Sequence, residues 1–309
     1  MKTESELKLF YNSTLQSILE PLEKFRVEKI KKIKRHLILS TPFLLTVFIG
    51  IVLGSIPLIV LSFIIFLVFF SFALHHLVET ATYLKKHFKY KVMFEIMNFL
   101  FDDYEYIPNQ RISKSVLTKS MLFPINIAET DGEDFMRFRM GETRIMFCEM
   151  FTFFSNNKLN FEGLFLSASF NKNFTSKTFV ISRRRKNSLL SIPRYYLNDI
   201  KDVKLEDILF NKEFFTLSTD QIEARYILTP SLMQRILDYK KKTGKKISIS
   251  FVENRLYCTI PKYSNHFEPA IFRPFDFEFI KYTCEPLKLY TDIVEDLNLN
   301  LRIWTKVEE

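Results

Sequence analysis

The sequence predicts an α+β protein: an N-terminal amphipathic helix and a two-helix transmembrane hairpin, followed by one mixed α+β soluble domain with a mainly antiparallel sheet. Three observations lead there. Leu37 to Leu77 is a run of 41 residues without Asp, Glu, Lys or Arg, in a 309-residue chain whose charged fraction is 26%. The length left over suits a single domain of roughly 200 residues. Beyond residue 102 the texture changes to short aromatic and β-branched segments bounded by turn residues, the signature of strands.

The first element, residues 1–36, places Leu7, Phe10, Tyr11, Leu15, Ile18, Leu19, Leu22 and Phe25 at spacings of three and four. That period predicts an amphipathic helix, with a kink expected at Pro21. Its far end is basic, with Arg26, Lys29, Lys31, Lys32, Lys34 and Arg35. Two readings fit. In one it is an interfacial helix whose Lys31, Lys32, Lys34 and Arg35 contact anionic lipid headgroups, each cation being worth ~1 kcal/mol near the surface. In the other it packs on the soluble domain or on a second copy.

The second element, residues 37–77, is too long for one span, because about 20 apolar residues cross ~30 Å of hydrocarbon. Gly54-Ser55-Ile56-Pro57 supplies the break, giving spans at about 37–53 and 57–77. The charge of the chain sits on the flanks. Residues 1–36 carry nine Lys/Arg against five Glu, and residues 78–91 carry four Lys against Glu79, which leaves only +2 of the net +9 for residues 92–309. Short basic flanks stay on the cytoplasmic side, so both termini are expected there. A cleaved signal peptide does not fit, since its apolar stretch runs only about 7 to 15 residues. Cys148, Cys258 and Cys284 are odd in number and widely spaced, as reduced cytosolic thiols would be.

Residues 78–101 continue as a helical connector through Val92, Met93, Ile96, Met97 and Leu100, ended by Asp102-Asp103. Residues 102–309 make the cytoplasmic domain. Arg144 to Phe151, Phe161 to Phe170, Thr178 to Ile181 and Glu213 to Leu217 read as strands. Thr229 as cap, Pro230 at the first turn and Gly244 beyond the last turn predict a helix between them. Ile247 to Phe251 and Leu256 to Ile260 alternate on either side of Glu253-Asn254 and predict a hairpin. Leu287, Tyr290, Ile293, Val294 and Leu297 form one stripe of a closing helix, from about Cys284 to Leu297, followed by Trp304.

The residues exclude several chemistries. Gly132, Gly141, Gly163 and Gly244 are isolated, so neither dinucleotide nor P-loop glycine motifs exist, and no cofactor is expected. His36, His75, His76 and His87 flank the apolar run, and His266 lies alone in the domain, which argues against a metal set. Cys258 alternates with Leu256 and Ile260 on an apolar face and reads as a packed thiol, not a nucleophile. Glu129 to Asp134 is acidic but lacks calcium-loop spacing and reads as a solvated turn. Arg183, Arg184, Arg185 and Lys186 read as an exposed loop suited to anionic lipid headgroups. Nucleic acid is disfavoured, because the soluble domain is nearly neutral.

Phe161-Glu162-Gly163-Leu164-Phe165 running to Phe174, Asp220-Gln221-Ile222-Glu223-Ala224-Arg225-Tyr226-Ile227-Leu228-Thr229-Pro230, and Asp296-Leu297-Asn298-Leu299-Asn300 with Ile303-Trp304 resemble the bacterial domain of unknown function 3137 family. The similarity spans roughly residues 85 to 304. It implies two spans ahead of a cytoplasmic domain in a bacterial inner membrane, and no catalytic residues. Read physically, Glu223 and Arg225 lie two apart in an expected strand and share a face, so they either pair with neighbours or form, with His266, a small polar pocket. The function expected is a membrane-anchored interaction or sensing domain that scaffolds a membrane complex or binds a ligand at the inner leaflet. Its partners would be the bilayer, anionic headgroups, another membrane protein or itself. The alternative is a membrane-associated enzyme acting on a lipid or peptide.

Overall fold

A computed structural model describes residues 2–124, 127–141, 143–169, 174–183, 199–244, 246–261 and 267–296. The chain divides into two compact units, one of Lys2–Ile96 with Asn265–Cys284, the other of Met97–Ser264 with Glu285–Glu309.

The first unit is helical. α1 (Glu4–Phe10) opens with a capping box in which Thr3 and Glu6 satisfy each other's backbone N–H groups. A π-helical turn at Tyr11–Leu15 leads into α2 (Gln16–Leu53). The change of helical register therefore falls at Tyr11–Leu15, and Pro21 sits inside the uninterrupted α2. The basic segment and the first apolar stretch are one continuous helix. Gly54 ends α2 in the left-handed region at φ 65°, which a residue with a Cβ avoids, and Pro57 stands in the first turn of α3 (Ile56–His87). A second π-helical turn, Phe88–Val92, joins α3 to α4 (Met93–Leu100).

Both long helices are apolar enough to cross a membrane, and only 11% of each most apolar stretch is buried. A core helix of a water-soluble protein would be mostly covered. Phe48, Val52, Leu53, Ile56 and Leu61 point outward at 60% exposure or more. α2 and α3 pack through Phe25 on Tyr83 and Phe43 on Phe69, with Lys29 Nζ 2.6 Å from the Glu79 carboxylate.

Residues 267–284 belong to the same unit and are pinned to it. Arg26 is 7% exposed; it donates to both Glu23 carboxylate oxygens and to the Ile271 carbonyl, while Glu23 accepts the Phe275 N–H. Tyr11 Oη donates to the Phe275 carbonyl at 3.3 Å, and Lys281 pairs with Glu4 at 2.7 Å. Glu268 sits between Lys85 and the buried Lys89.

The second unit carries a nine-stranded sheet among the described residues, antiparallel throughout, in the order β1-β2-β3-β4-β9-β8-β5-β7-β6. The strands are β1 (Tyr104–Ile107), β2 (Ile127–Met140), β3 (Thr143–Phe154), β4 (Leu159–Ser169), β5 (Thr178–Ser182), β6 (Lys201–Asp202), β7 (Phe214–Ser218), β8 (Ser248–Val252) and β9 (Arg255–Pro261). The expected β8–β9 hairpin is present, with Glu253 left-handed at φ 56° in its turn. The acidic stretch 129–134, read as a turn, is instead the first half of β2. Its outward positions tolerate carboxylates, while Phe135, Met136 and Phe138 face inward and fix it in the sheet.

Helices α5 (Lys114–Lys119), α6 (Ile208–Glu213), α7 (Gln221–Ile227) and α8 (Pro230–Thr243) complete this unit. One face of the sheet gathers Leu117, Phe123, Cys148, Phe165, Phe179 and Tyr257 into a buried cluster. α8 has the expected Thr229 cap, Pro230 start and left-handed Gly244 stop at φ 66°. α9 (Phe277–Asp296) begins seven residues earlier than the apolar stripe suggests, because Asp276 accepts the Phe279 N–H and sets the first turn there. Leu297 and Trp304 lie outside the described residues.

Candidate functional site

The polar pocket expected around Glu223, Arg225 and His266 does not form from the two residues that are described. Both lie on α7, not on a strand. Asp220 caps that helix by accepting the Ile222 and Glu223 N–H groups, so a four-residue sequence signal overrides the apparent strand. Glu223 reaches back to residues 175–176, accepting the Thr175 and Ser176 N–H groups at 3.2 and 2.6 Å and the Thr175 hydroxyl. Burial alone would raise its carboxyl, but these hydrogen bonds outweigh it and hold the group below the usual carboxylate range. Arg225 donates instead to the carbonyls of Gln221 and Lys204. Two neighbours in sequence thus brace different loops, and His266 lies outside the described residues.

A group that the sequence conceals lies between β2 and β3. Glu133 and Asp134 on β2 meet Glu149 on β3, with their carboxylate oxygens all within 4.8 Å of one another. Asp134 and Glu149 are fully buried. The placement is local: β2 is bulged between Glu133 and Met136, and Asp134 takes a left-handed φ of 58° while its N–H bonds to the Pro108 carbonyl. Gly132 is required beside it, because a Cβ there would run into the Glu149 carbonyl. Tyr106 from β1 donates its hydroxyl to Asp134 at 2.7 Å. Burial, and then the Asp134 charge, push the Tyr106 phenol well above its ordinary value. Three carboxylates at this range repel one another, and a proton or a hard cation among them would relieve that repulsion.

The three thiols are structural. All are buried, and burial pushes Cys148 and Cys284 up to about 12 and Cys258 higher still. Cys148 Sγ accepts the Ile112 N–H at 3.4 Å. A cleft of about 300 Å³ opens beside Asn160, Glu162, Ser182, Lys246, Ser248 and Thr259. Two of its polar groups are already engaged, Asn160 with Thr152 and Ser182 with both backbone atoms of Ile247.

β4, the capped helix α7 and the start of α8 carry two of the three stretches that resemble the family, and residues 297–304 of the third lie outside the described residues. Residues 159–299 match the family described as protein of unknown function (DUF3137). The match is narrower than the 85–304 read from the residues, and it begins at β4. None of the curated proteins matches the chain. The crystal structure of the mycobacterial trehalose monomycolate transport factor A, TtfA, superposes with a TM-score of 0.37 at 8% identity, covering 69% of this chain and 93% of that one, a likeness too slight to argue from.

The DUF3137 segment contains Glu223, Arg225 and the 183–186 basic run, whereas the Glu133, Asp134 and Glu149 group lies ahead of it. Of the residues expected to meet anionic lipid, Arg183 stands at the end of β5, where its guanidinium lies 3.6 Å from the centroid of the Phe215 ring. Arg184, Arg185 and Lys186 lie outside the described residues. Lys31, Lys32, Lys34 and Arg35 are exposed on α2, just before the uncharged stretch, and Lys32 pairs with Glu28 at 2.8 Å.

Proposed function

We propose that this chain is a membrane-anchored cytoplasmic domain of a bacterial inner membrane that scaffolds a membrane complex or senses a ligand at the inner leaflet. The observation that carries this reading is the α2–α3 pair, long and apolar enough to cross a bilayer with its apolar surface left uncovered. The basic collar supports the orientation: Lys29 to Arg35 precede one span, and Lys85 to Lys91 follow the other. Nothing in the geometry of Glu223 or Arg225 favours the alternative, a membrane-associated enzyme acting on lipid or peptide, because both side chains are spent on backbone groups.

Two measurements test the proposal. A thiol introduced by Ser55→Cys is expected to react with an impermeant reagent added outside the cell, and protection there together with labelling at the C-terminus would reverse the orientation. Crosslinking in native membranes followed by mass spectrometry is expected to return a recurrent membrane-protein partner or a second copy. The absence of any recurrent partner, with no response to anionic lipid, would sink the scaffold reading.

A further inference from the structure

Two of the histidines at the charged end of the hairpin meet across it. His36 on α2 lays its ring along one turn of α3, with its centroid 5.7 Å from that of Phe72 and 5.5 Å from that of His76, both stacked, and 6.5 Å from that of Phe69. Its Nδ1 is buried there without a hydrogen-bond partner. His76 turns its own Nδ1 toward the Glu79 carboxylate at 3.4 Å, and the same carboxylate oxygen takes Lys29 Nζ at 2.6 Å. The exposed His75 ring lies 5.9 Å from His76.

A polar atom kept from water without a partner costs free energy, so the stack carries a cost that a second arrangement would relieve. Imidazole is also the side chain whose ordinary charge change falls between pH 5 and 8. The groups within two turns of the stack that carry charge or titrate in that range are Lys29, Lys31, Lys32, Lys34 and Arg35 on α2, and His75 and Glu79 on α3. Between Glu28 and Glu79 the chain has no acid at all, and Glu28 is spent on Lys32 at 2.8 Å. The returning segment meets the hairpin further along, at Arg26 and Lys85. One proton on the pair is accommodated, because His76 has Glu79 beside it. A second is not, because Glu79 is already shared with Lys29 and two like charges would face each other at stacking distance among five other cations.

We propose that His36 and His76 form a proton-operated joint between the two spans, closed while the pair holds at most one proton and parted when both rings carry one. The proton drives the change because the parted form, with His36 solvated, binds it better than the closed one. This gives the sensing reading a ligand, and it rests on the membrane-anchored reading.

The test uses the full chain in phosphatidylcholine vesicles, which offer the cations no anionic lipid. Spin labels placed by Val27→Cys on α2 and Val78→Cys on α3, both exposed positions, read the spacing of the helices, and the native thiols, being buried, stay unlabelled. Between pH 8 and pH 5 the distance is expected to lengthen by several ångströms and to return on neutralisation. His36→Phe keeps a ring in the stack and His36→Gln keeps a polar side chain; each is expected to abolish the response, and if one fails to insert the other decides. His36→Lys is expected to show the long distance already at pH 8, and a short one there would count against the joint. A distance indifferent to pH, or one that moves as far in His36→Phe and His36→Gln, would overturn it. A label at Phe63→Cys on α3 is the anchor control. Relaxed by oxygen and shielded from a water-soluble nickel chelate, it leaves the membrane reading standing if the joint fails; relaxed by the chelate, it overturns both.

Discussion

At the scale of single residues, what separates structural from reactive groups is how much of each is already used. The three cysteines have no exposed thiol and are held far from ionisation, so none is expected to react with a maleimide in the folded chain, and all three after denaturation; a native thiol titration checks this. Glu223 offers a second test. Its carboxyl is held below the ordinary value of about 4.3, so its contribution is present above that value and fades as the pH falls through the folded-state value. Glu223→Gln is expected to cost about 1 kcal/mol at neutral pH, the charge-assisted value of about 1.5–3 kcal/mol reduced by solvent screening of a partly exposed group, and progressively less in acid, as read by denaturant melts across pH. Thr229 was legible as a cap because capping acts within three residues, whereas the cap at Asp220 was missed because the segment after it read as a strand. The role of Glu223 was not legible either, because its partners lie 48 and 47 residues back across a fold that only the sheet creates.

At the scale of elements, patterns with a local cause were readable and patterns with a distant cause were not. α8 carries its own start and stop, and the β8–β9 hairpin its own alternation, so both stand where the sequence puts them. β2 looked like a turn because its acids crowd one half, and only pairing with β3 brings Glu149 opposite Glu133. The whole carboxylate group is a product of strand register. The segment after β9 is another such product. It is fastened by Arg26, which joins Glu23 to the Ile271 carbonyl while Glu23 takes the Phe275 N–H. Arg26→Ala leaves a half-buried carboxylate and a carbonyl short of a partner, at a cost of about 2 kcal/mol. The amide of Phe275 should then exchange with solvent about 30-fold faster, and an unchanged rate would mean that the neighbouring aromatic contacts hold the segment without the clip.

At the scale of the whole molecule, the uncharged run of 41 residues announced the helical pair, and the apportioned charge separated a basic collar from a nearly neutral domain. The sequence offered packing of the N-terminal helix on later residues as one of two readings, without marking which residues come back to it. The helical unit draws one part from residues before 97 and another from 265–284, so the chain passes through Met97–Ser264 of the sheet unit before it returns, and leaves again at Glu285. Phe275 and Phe279 of the returning piece sit against Phe88. A fragment that starts at residue 102 therefore separates those phenylalanines from Phe88. Such a fragment is expected to bind a hydrophobic dye and to associate at concentrations where the intact chain in detergent stays dispersed. The practical boundary of this protein is not a point along its sequence but a loop that must be kept whole.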